Sequence, residues 1–247
     1  MRIIICGING KMGKFTYDVA IKSGYQVVCG IDQKTSGSVD CPVYSSFDEV
    51  KEFAEVVVDF SSPSALPDLL KFSTENKLPV VLCSTGYCKA DEDAIFYASK
   101  QIPIFKASNT SLSINLIATL CELTSKFLEG YDIEIIEKHH SLKNDSPSGT
   151  AKMIFDAINS KNGEKFNVVY GRKGKCKRKN NEIGVHSIRG GSTVGEHTIL
   201  FFGENETISI THTATSKELF AQGAIKACEF ITNKPCGLYG MKDIFKF

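Results

Sequence analysis

Through its first hundred residues the chain alternates short runs of aliphatic and β-branched residues with longer amphipathic stretches. Residues 2–7 (RIIICG), 25–32 (YQVVCGID), 55–60 (EVVVDF), 78–84 (LPVVLCS) and 102–107 (IPIFKA) read as strands. Between them, 11–23, 63–77 and 90–101 carry apolar positions at helical spacing, and 47–54 (FDEVKEFA) reads as a shorter helix. Strands that are apolar on both faces and are separated by helices predict a parallel sheet covered on both sides.

The pattern changes near residue 110. A long amphipathic helix over 111–130 leads into a strand at 131–140 and a further helix from about 146. Strand-like runs then follow one another at 167–173, 184–191, 196–203 and 206–214. Strands in succession predict a mixed or antiparallel sheet. The expected fold is therefore α/β, a Rossmann-type doubly wound parallel sheet, joined to a C-terminal α+β domain with a mixed open sheet. The boundaries fall at 1–109 for a dinucleotide-binding domain and 110–214 for a substrate-binding domain. The last segment, 215–247, opens with a helix expected to pack back onto the first domain.

Composition narrows the function classes. The net charge of +1 over 247 residues argues against a dedicated nucleic-acid binder. Nine cysteines are scattered with no C-x-x-C pair, so reduced thiols in the core of a cytoplasmic protein are expected, without disulfides or a four-cysteine zinc site. The apolar stretch at the N-terminus is too short for a signal peptide, and nowhere do 18 apolar residues run uninterrupted, so no membrane association is expected. Residues 171–179 hold six Lys and Arg, which read as a solvated loop or as an arm meeting a subunit or an anion.

Gly7, Ile8, Asn9, Gly10, Lys11, Met12 and Gly13 join the first strand to the first helix. Glycines there let a pyrophosphate approach backbone N–H groups at the positive end of a helix. The spacing is G-x-x-G-x-x-G, with Asn9 at the middle position; a nucleotide-triphosphate loop would need glycine at Ile8 and Ser or Thr at Phe15. Asp32 stands 19 residues beyond Gly13, where an acid holds the adenosine ribose hydroxyls. Its charge favours NADH, while Lys34 offers a partner to the 2′-phosphate of NADPH, so use of either cofactor is expected. The strand ends at Cys83, Ser84 and Thr85 and at Ala107, Ser108, Asn109 and Thr110 place small polar groups on the same edge of the sheet.

Residues 137–154, EKHHSLKNDSPSGTAKMI, carry the candidate chemistry. His139 and His140 end a strand. Asp145 and Ser146 are N-cap candidates, and Pro147 suits the first helical position. The first N–H groups of that helix, at Ser148, Gly149 and Thr150, together with the ammonium of Lys143, form a receptor for a carboxylate. Imidazole donates a proton near neutral pH, so one stretch both grips an acidic substrate and protonates it. Neighbouring histidines on a strand face opposite ways and no third ligand is evident, so no metal is expected. His186, His197 and His212 read as structural or supporting residues.

At this point E-x-H-H-x-x-K-x-D-x-P-S-G-T-A (137–151) resembles the signature of the 4-hydroxy-tetrahydrodipicolinate reductase family, also called dihydrodipicolinate reductases. The resemblance extends to G-x-x-G-x-M-G at Gly7–Gly13, D-F-S-x-P at Asp59–Pro63, T-G-Y at Thr85–Tyr87, R-x-G-x-x-x-G-E-H-T at Arg189–Thr198 and G-L-x-x-M-K-D at Gly237–Asp243. It implies NAD(P)H-dependent reduction of a cyclic unsaturated dicarboxylate in lysine biosynthesis, with loss of water. By that resemblance His139 is the proton donor, Lys143 the second catalytic residue, His140, Gly149 and Thr150 substrate contacts, and the protein a homotetramer. Ser84, Ser146, Lys11 and Asp32 depart from the family's usual residues. A Rossmann-type regulator that binds a nucleotide without turnover is the alternative, and it would have no use for His139 or Lys143.

Overall fold

The structure is a computed structural model that describes residues 1–36 and 39–245. It divides into two compact units, residues 1–112 with 217–247 and residues 113–216. The expected C-terminal segment 215–247 therefore falls mostly in the first unit, and its residues 246 and 247 lie outside the described residues.

The first unit is built on β1 (Arg2–Cys6), β2 (Gln26–Ile31), β3 (Val43–Tyr44), β4 (Val56–Asp59), β5 (Val80–Leu82) and β6 (Pro103–Lys106). Its helices here are α1 (Lys11–Lys22), α2 (Leu66–Glu75) and α3 (Lys89–Ser99). From the chain end come α6 (Glu218–Ile231), β12 (Gly237–Tyr239) and α7 (Met241–Ile244). The parallel seven-stranded sheet runs β12-β6-β5-β4-β1-β2-β3. Val19 and Ala20 of α1 and Ala224, Ile225 and Cys228 of α6 cover one face, and Leu69, Leu70, Ile95 and Ala98 of α2 and α3 the other. Ile3, Ile4 and Ile5 are sealed from solvent on successive, opposite faces, which is why their run shows no alternation. Strand order reverses between β1 and β4, and ligands of open α/β sheets lie beyond the strand ends at such a point.

The expected helix at 47–54 is a single 3-10 turn, Phe47–Glu49. The Ser46 hydroxyl caps it at the Asp48 N–H and the Glu49 carboxylate closes back on Ser46, so the capping contacts are spent on one turn. Only Phe47 of that turn is buried, which leaves too little apolar face to hold a longer helix.

The second unit carries α4 (Leu112–Phe127), β7 (Asp132–His139), α5 (Gly149–Lys161), β8 (Asn167–Tyr170), β9 (Glu182–Arg189), β10 (Gly195–Phe202) and β11 (Thr207–Ala214). Its five-stranded sheet is mixed, ordered β11-β10-β7-β9-β8, with β7, β9 and β8 parallel and β10 and β11 antiparallel to their neighbours. Ile117, Ala118 and Cys121 of α4 and Ala151, Ile154 and Ile158 of α5 cover one face over Ile133, Ile135, Ile199 and Phe201.

Candidate active site

In the first unit the turn after β1 is shaped by its own packing. Gly7 takes φ +73°, and a Cβ there would come within 2.8 Å of the Phe60 carbonyl oxygen. At Gly13 a Cβ would fall 2.0 Å from the Gly7 carbonyl, so the helix closes on the strand only because that position is bare. Gly10 is the N-cap of α1; it supplies no capping side chain and no acid stands in the first turn, so the helix start keeps its positive end. Asp32 accepts from the N–H groups of Asn9 (3.0 Å) and Lys34 (3.1 Å), while Asn9 Nδ2 donates to the Lys34 carbonyl (2.6 Å). One carboxylate thus ties the glycine turn to the end of β2.

A cleft of about 490 Å³ opens here, lined among others by Gly7, Gly10, Asp32, Ser61, Ser62 and Asp68. A bare helix start facing an acid across such a cleft fits the pyrophosphate and ribose of a dinucleotide. No Lys or Arg lines it, and Lys34 lies exposed. Ile8 is buried against Gly30, Met12 packs on the core and Lys11 is exposed, so Ile8 and Met12 can meet a cofactor chiefly through backbone.

The other two expected cofactor segments do not line this cleft. Cys83 is in the core, and the Ser84 hydroxyl donates to buried Asp59 (2.7 Å). Thr85 and Ser108 are exposed, and Ala107 packs on the core. The Asn109 side chain accepts from the Ser111 N–H, and the Thr110 hydroxyl donates to the Phe220 carbonyl at 2.7 Å.

In the second unit, alternation along β7 points Ile133, Ile135, Glu137 and His139 inward. The first two belong in the core; the next is a carboxylate with no solvent exposure. Burying a lone carboxylate is costly, and here hydrogen-bond donors from β9, from His139 and from the start of α5 offset it. Arg189 binds it in bidentate fashion through Nη1 (2.8 Å) and Nη2 (2.7 Å), His139 Nδ1 lies 2.5 Å from Oε2, and the Ser148 N–H donates to Oε1 (3.2 Å). Burial alone would push this carboxyl up; hydrogen bonds from Arg189, Ser187 and His139 overrule it and hold it at about 2. For His139 burial wins: it outweighs the pull of Glu137, and with Lys143 and Arg189 nearby the ring sits below its ordinary range.

Arg189 was not foreseen as a site residue. It reaches β7 because β9 runs parallel beside it with Arg189 opposite His139. His197, on β10, stands edge-on to His139 with ring centroids 5.3 Å apart, and its Nε2 lies 3.0 Å from the Ser148 hydroxyl. Burial holds it down at about 4, so it is neutral at physiological pH.

The helix opening differs from expectation. Neither Asp145 nor Ser146 is the cap, and Pro147 lies before the helix. Ser148 is the N-cap: its backbone is extended and its hydroxyl accepts from the Ala151 N–H (3.2 Å). Its amide is taken by Glu137 and its side chain is buried, so Ser148 is engaged within the protein. Gly149 is exposed, and a Cβ there would meet nothing within 4 Å. Thr150 follows in the first turn. His140 lies one residue beyond the strand with its N–H on the Thr193 carbonyl (2.8 Å). Lys143 is held 2.5 Å from Asp145 Oδ1 and lowers that carboxyl.

The basic segment also folds back on the protein. Arg172 binds Glu134 (2.7 Å) and Glu182 (2.6 Å), and Arg178 binds Asp132 (2.6 Å) and Glu134 (3.3 Å), on the face of β7 opposite Glu137. Among the described residues no helix is long and apolar enough to cross a membrane.

Comparison with known proteins identifies this arrangement. Residues 1–110 match the family model described as dihydrodipicolinate reductase, N-terminus, and residues 113–245 the one described as its C-terminus. The chain belongs to the dihydrodipicolinate reductase family. The 4-hydroxy-tetrahydrodipicolinate reductase of Caldanaerobacter subterraneus is 49% identical, covering 100% of this chain and 98% of that one. The reductase of the same name from Clostridium tetani is 46% identical, covering 98% and 95%. Among solved structures, a dipicolinate-bound dihydrodipicolinate reductase from Paenisporosarcina sp. TG-14 superposes with a TM-score of 0.85 over 99% of each chain at 21% identity, a likeness of fold.

Proposed function

We propose that the protein catalyses the NAD(P)H-dependent reduction of 4-hydroxy-tetrahydrodipicolinate to tetrahydrodipicolinate with loss of water, and that His139 is its proton donor. The observation that carries this reading is the buried Glu137–His139 pair beside the opening of α5 and the Lys143 ammonium. Bound NAD(P)H supplies the hydride. Loss of water from the 4-hydroxy compound gives a conjugated C=C–C=N system, and hydride addition turns it into an electron-rich enamine. The imidazolium form of His139 gives up its Nε2 proton as the new C–H bond forms, and the neutral ring takes a proton back from solvent at Nε2, which closes the proton balance. Lys143 and the amides of Gly149 and Thr150 hold the substrate carboxylates and stabilise charge that builds during reduction, with His140 alongside. Lys143 would exchange Asp145 for a substrate carboxylate, and Asp145 is exposed enough to let it go.

On this reading the cofactor lies against Gly7–Met12, with Asp32 and Lys34 at the ribose and the backbones of Cys83–Thr85 and Ala107–Thr110 toward the nicotinamide. Residues 1–109 with 215–247 are assigned to the nucleotide and 110–214 to the diacid. Exposed Ile188 and Phe202, on the face of the five-stranded sheet opposite its helices, support a homotetramer formed through that face, which a solution mass of four chains would bear out and a monomer mass would refute. Nine unpaired cysteines support a reducing cytoplasm.

The test is NAD(P)H oxidation with the aldol product of pyruvate and aspartate semialdehyde generated in situ. His139→Gln and Lys143→Ala should each lower kcat roughly a hundredfold or more. Near-normal turnover in both would overturn the assignment.

A further inference from the structure

We propose that Glu137 and Arg189 are positioning residues that fix which nitrogen of His139 carries the transferable proton and tie that ring to the start of α5. The inference rests on the proposed reduction and extends it to residues that touch no substrate.

Four observations converge. First, Glu137 occupies an inward position between Ile135 and His139, where the alternation of β7 calls for an apolar side chain. Second, an ionised carboxylate only accepts, so the hydrogen in the 2.5 Å contact belongs to His139 Nδ1. The neutral ring therefore has its lone pair on Nε2, and Nε2 is the nitrogen that gains and gives the proton. Third, Nε2 faces Gly195: a Cβ there would stand 3.0 Å from it, so the missing side chain keeps that nitrogen approachable. Fourth, the carboxylate oxygen that takes the Ser148 N–H also takes Arg189 Nη2, so one side chain sets the spacing between the ring and the N-cap of α5.

Arg189 has the balancing role. A buried carboxylate alone would hold the ring as an imidazolium and discourage proton release. With Arg189 on both oxygens the carboxylate is neutralised, and the ring can cycle between its two forms. The groups facing His139 are Glu137 on β7, Arg189 on β9, His197 on β10, and Lys143 with Asp145 in the segment before α5. His212 on β11 pairs with His197 and helps to lower it.

The arrangement predicts opposite consequences for the two partners. Glu137→Gln removes the anion, so the His139 midpoint and the matching limb of the kcat/KM profile should fall by about one pH unit or more. Arg189→Gln removes the competing cation, so both should rise. In the wild-type enzyme, labelled with ¹⁵N-histidine and assigned against His139→Asn, the neutral ring should show Nδ1 protonated and Nε2 bare. A wild-type ring protonated at Nε2, or two variants that shift His139 in the same direction or leave it unmoved, would overturn the proposal. The wild-type spectrum decides even where a variant does not fold. The His139 midpoint and tautomer are read without substrate, so they stand or fall apart from the turnover assay.

Discussion

Asp59 and Glu137 are both almost sealed from water, but they are satisfied by different chemistry. Asp59, at the end of β4, accepts from the Ser61 N–H (3.0 Å), the Ser61 hydroxyl, the Ser84 hydroxyl (2.7 Å) and the Tyr87 hydroxyl (3.4 Å). Every one of those donors is neutral, and together they pin the loops that leave β4 and β5. Glu137 is matched by a guanidinium and an imidazole. The first carboxylate can only shape loops around a cleft. The second touches a group whose charge can change, which is the requirement for taking part in proton transfer.

Neutralising each acid should therefore cost different amounts. Glu137→Gln leaves the part-buried Arg189 guanidinium without its counter-charge, and a loss of about 3 kcal/mol, the low end for half of a buried pair, is expected. Asp59→Asn keeps an oxygen for some of its donors and sets an NH₂ against the rest, for about 1–2 kcal/mol. Denaturant titration of both variants measures the gap. Equal losses would mean that Arg189 is not electrostatically tied to Glu137, and the contrast between the two acids would disappear.

Acid should find the second unit in two stages. The His197 ring is held at about 4, below its ordinary 6.5, so the unfolded chain binds that proton first and stability drains as pH falls from about 6.5 to 4. The Glu137 carboxyl is held at about 2 against 4.5, so its contribution is intact above about 4.5 and is lost on the way down to 2. Each gap corresponds to about 3 kcal/mol. His197→Asn should shrink the upper stage, to which His139 and His212, also held below their ordinary range by burial, contribute, and leave the lower, as followed by hydrogen exchange of the β7 amides against pH.

How much of this was legible beforehand depended on distance along the chain. The strands of the first unit announced themselves because each is a local apolar run, whereas β3 and β12, two and three residues long, carry no such run and exist through pairing with β2 and β6. His139 and Lys143 stood out because an imidazole and an ammonium fall within five residues of chain. Glu137 was readable in principle: Ile133, Ile135, Glu137 and His139 share a face, and an acid in that series signals a buried charge. Arg189 was marked only as the first residue of a family motif; its partner was out of reach, since only the parallel register of β9 on β7 brings it across 52 residues of sequence to Glu137. The cap of α5 was misplaced because 145, 146 and 148 all offer good capping side chains, and the tie between the Ser148 amide and Glu137 selects the last.

The smallest effect on stability should come from a glycine, and it tests the same contrast. Gly13→Ala would drive a Cβ into the Gly7 carbonyl at 2.0 Å, so the turn must shift and both folding and cofactor affinity should suffer. Gly149→Ala meets nothing within 4 Å, and alanine suits a helix better than glycine, so stability should stay level or rise by about 0.5–1 kcal/mol. If the space above Gly149 is where a substrate carboxylate meets the first amides of α5, KM for the diacid should nevertheless rise about tenfold, a loss near 1.4 kcal/mol in binding. Gly13 is then glycine for the protein's own backbone, and Gly149 for its substrate. A Gly149→Ala enzyme with unchanged KM would return that position to the category of Gly13, a residue explained by folding alone, and would remove the opening of α5 from the binding site.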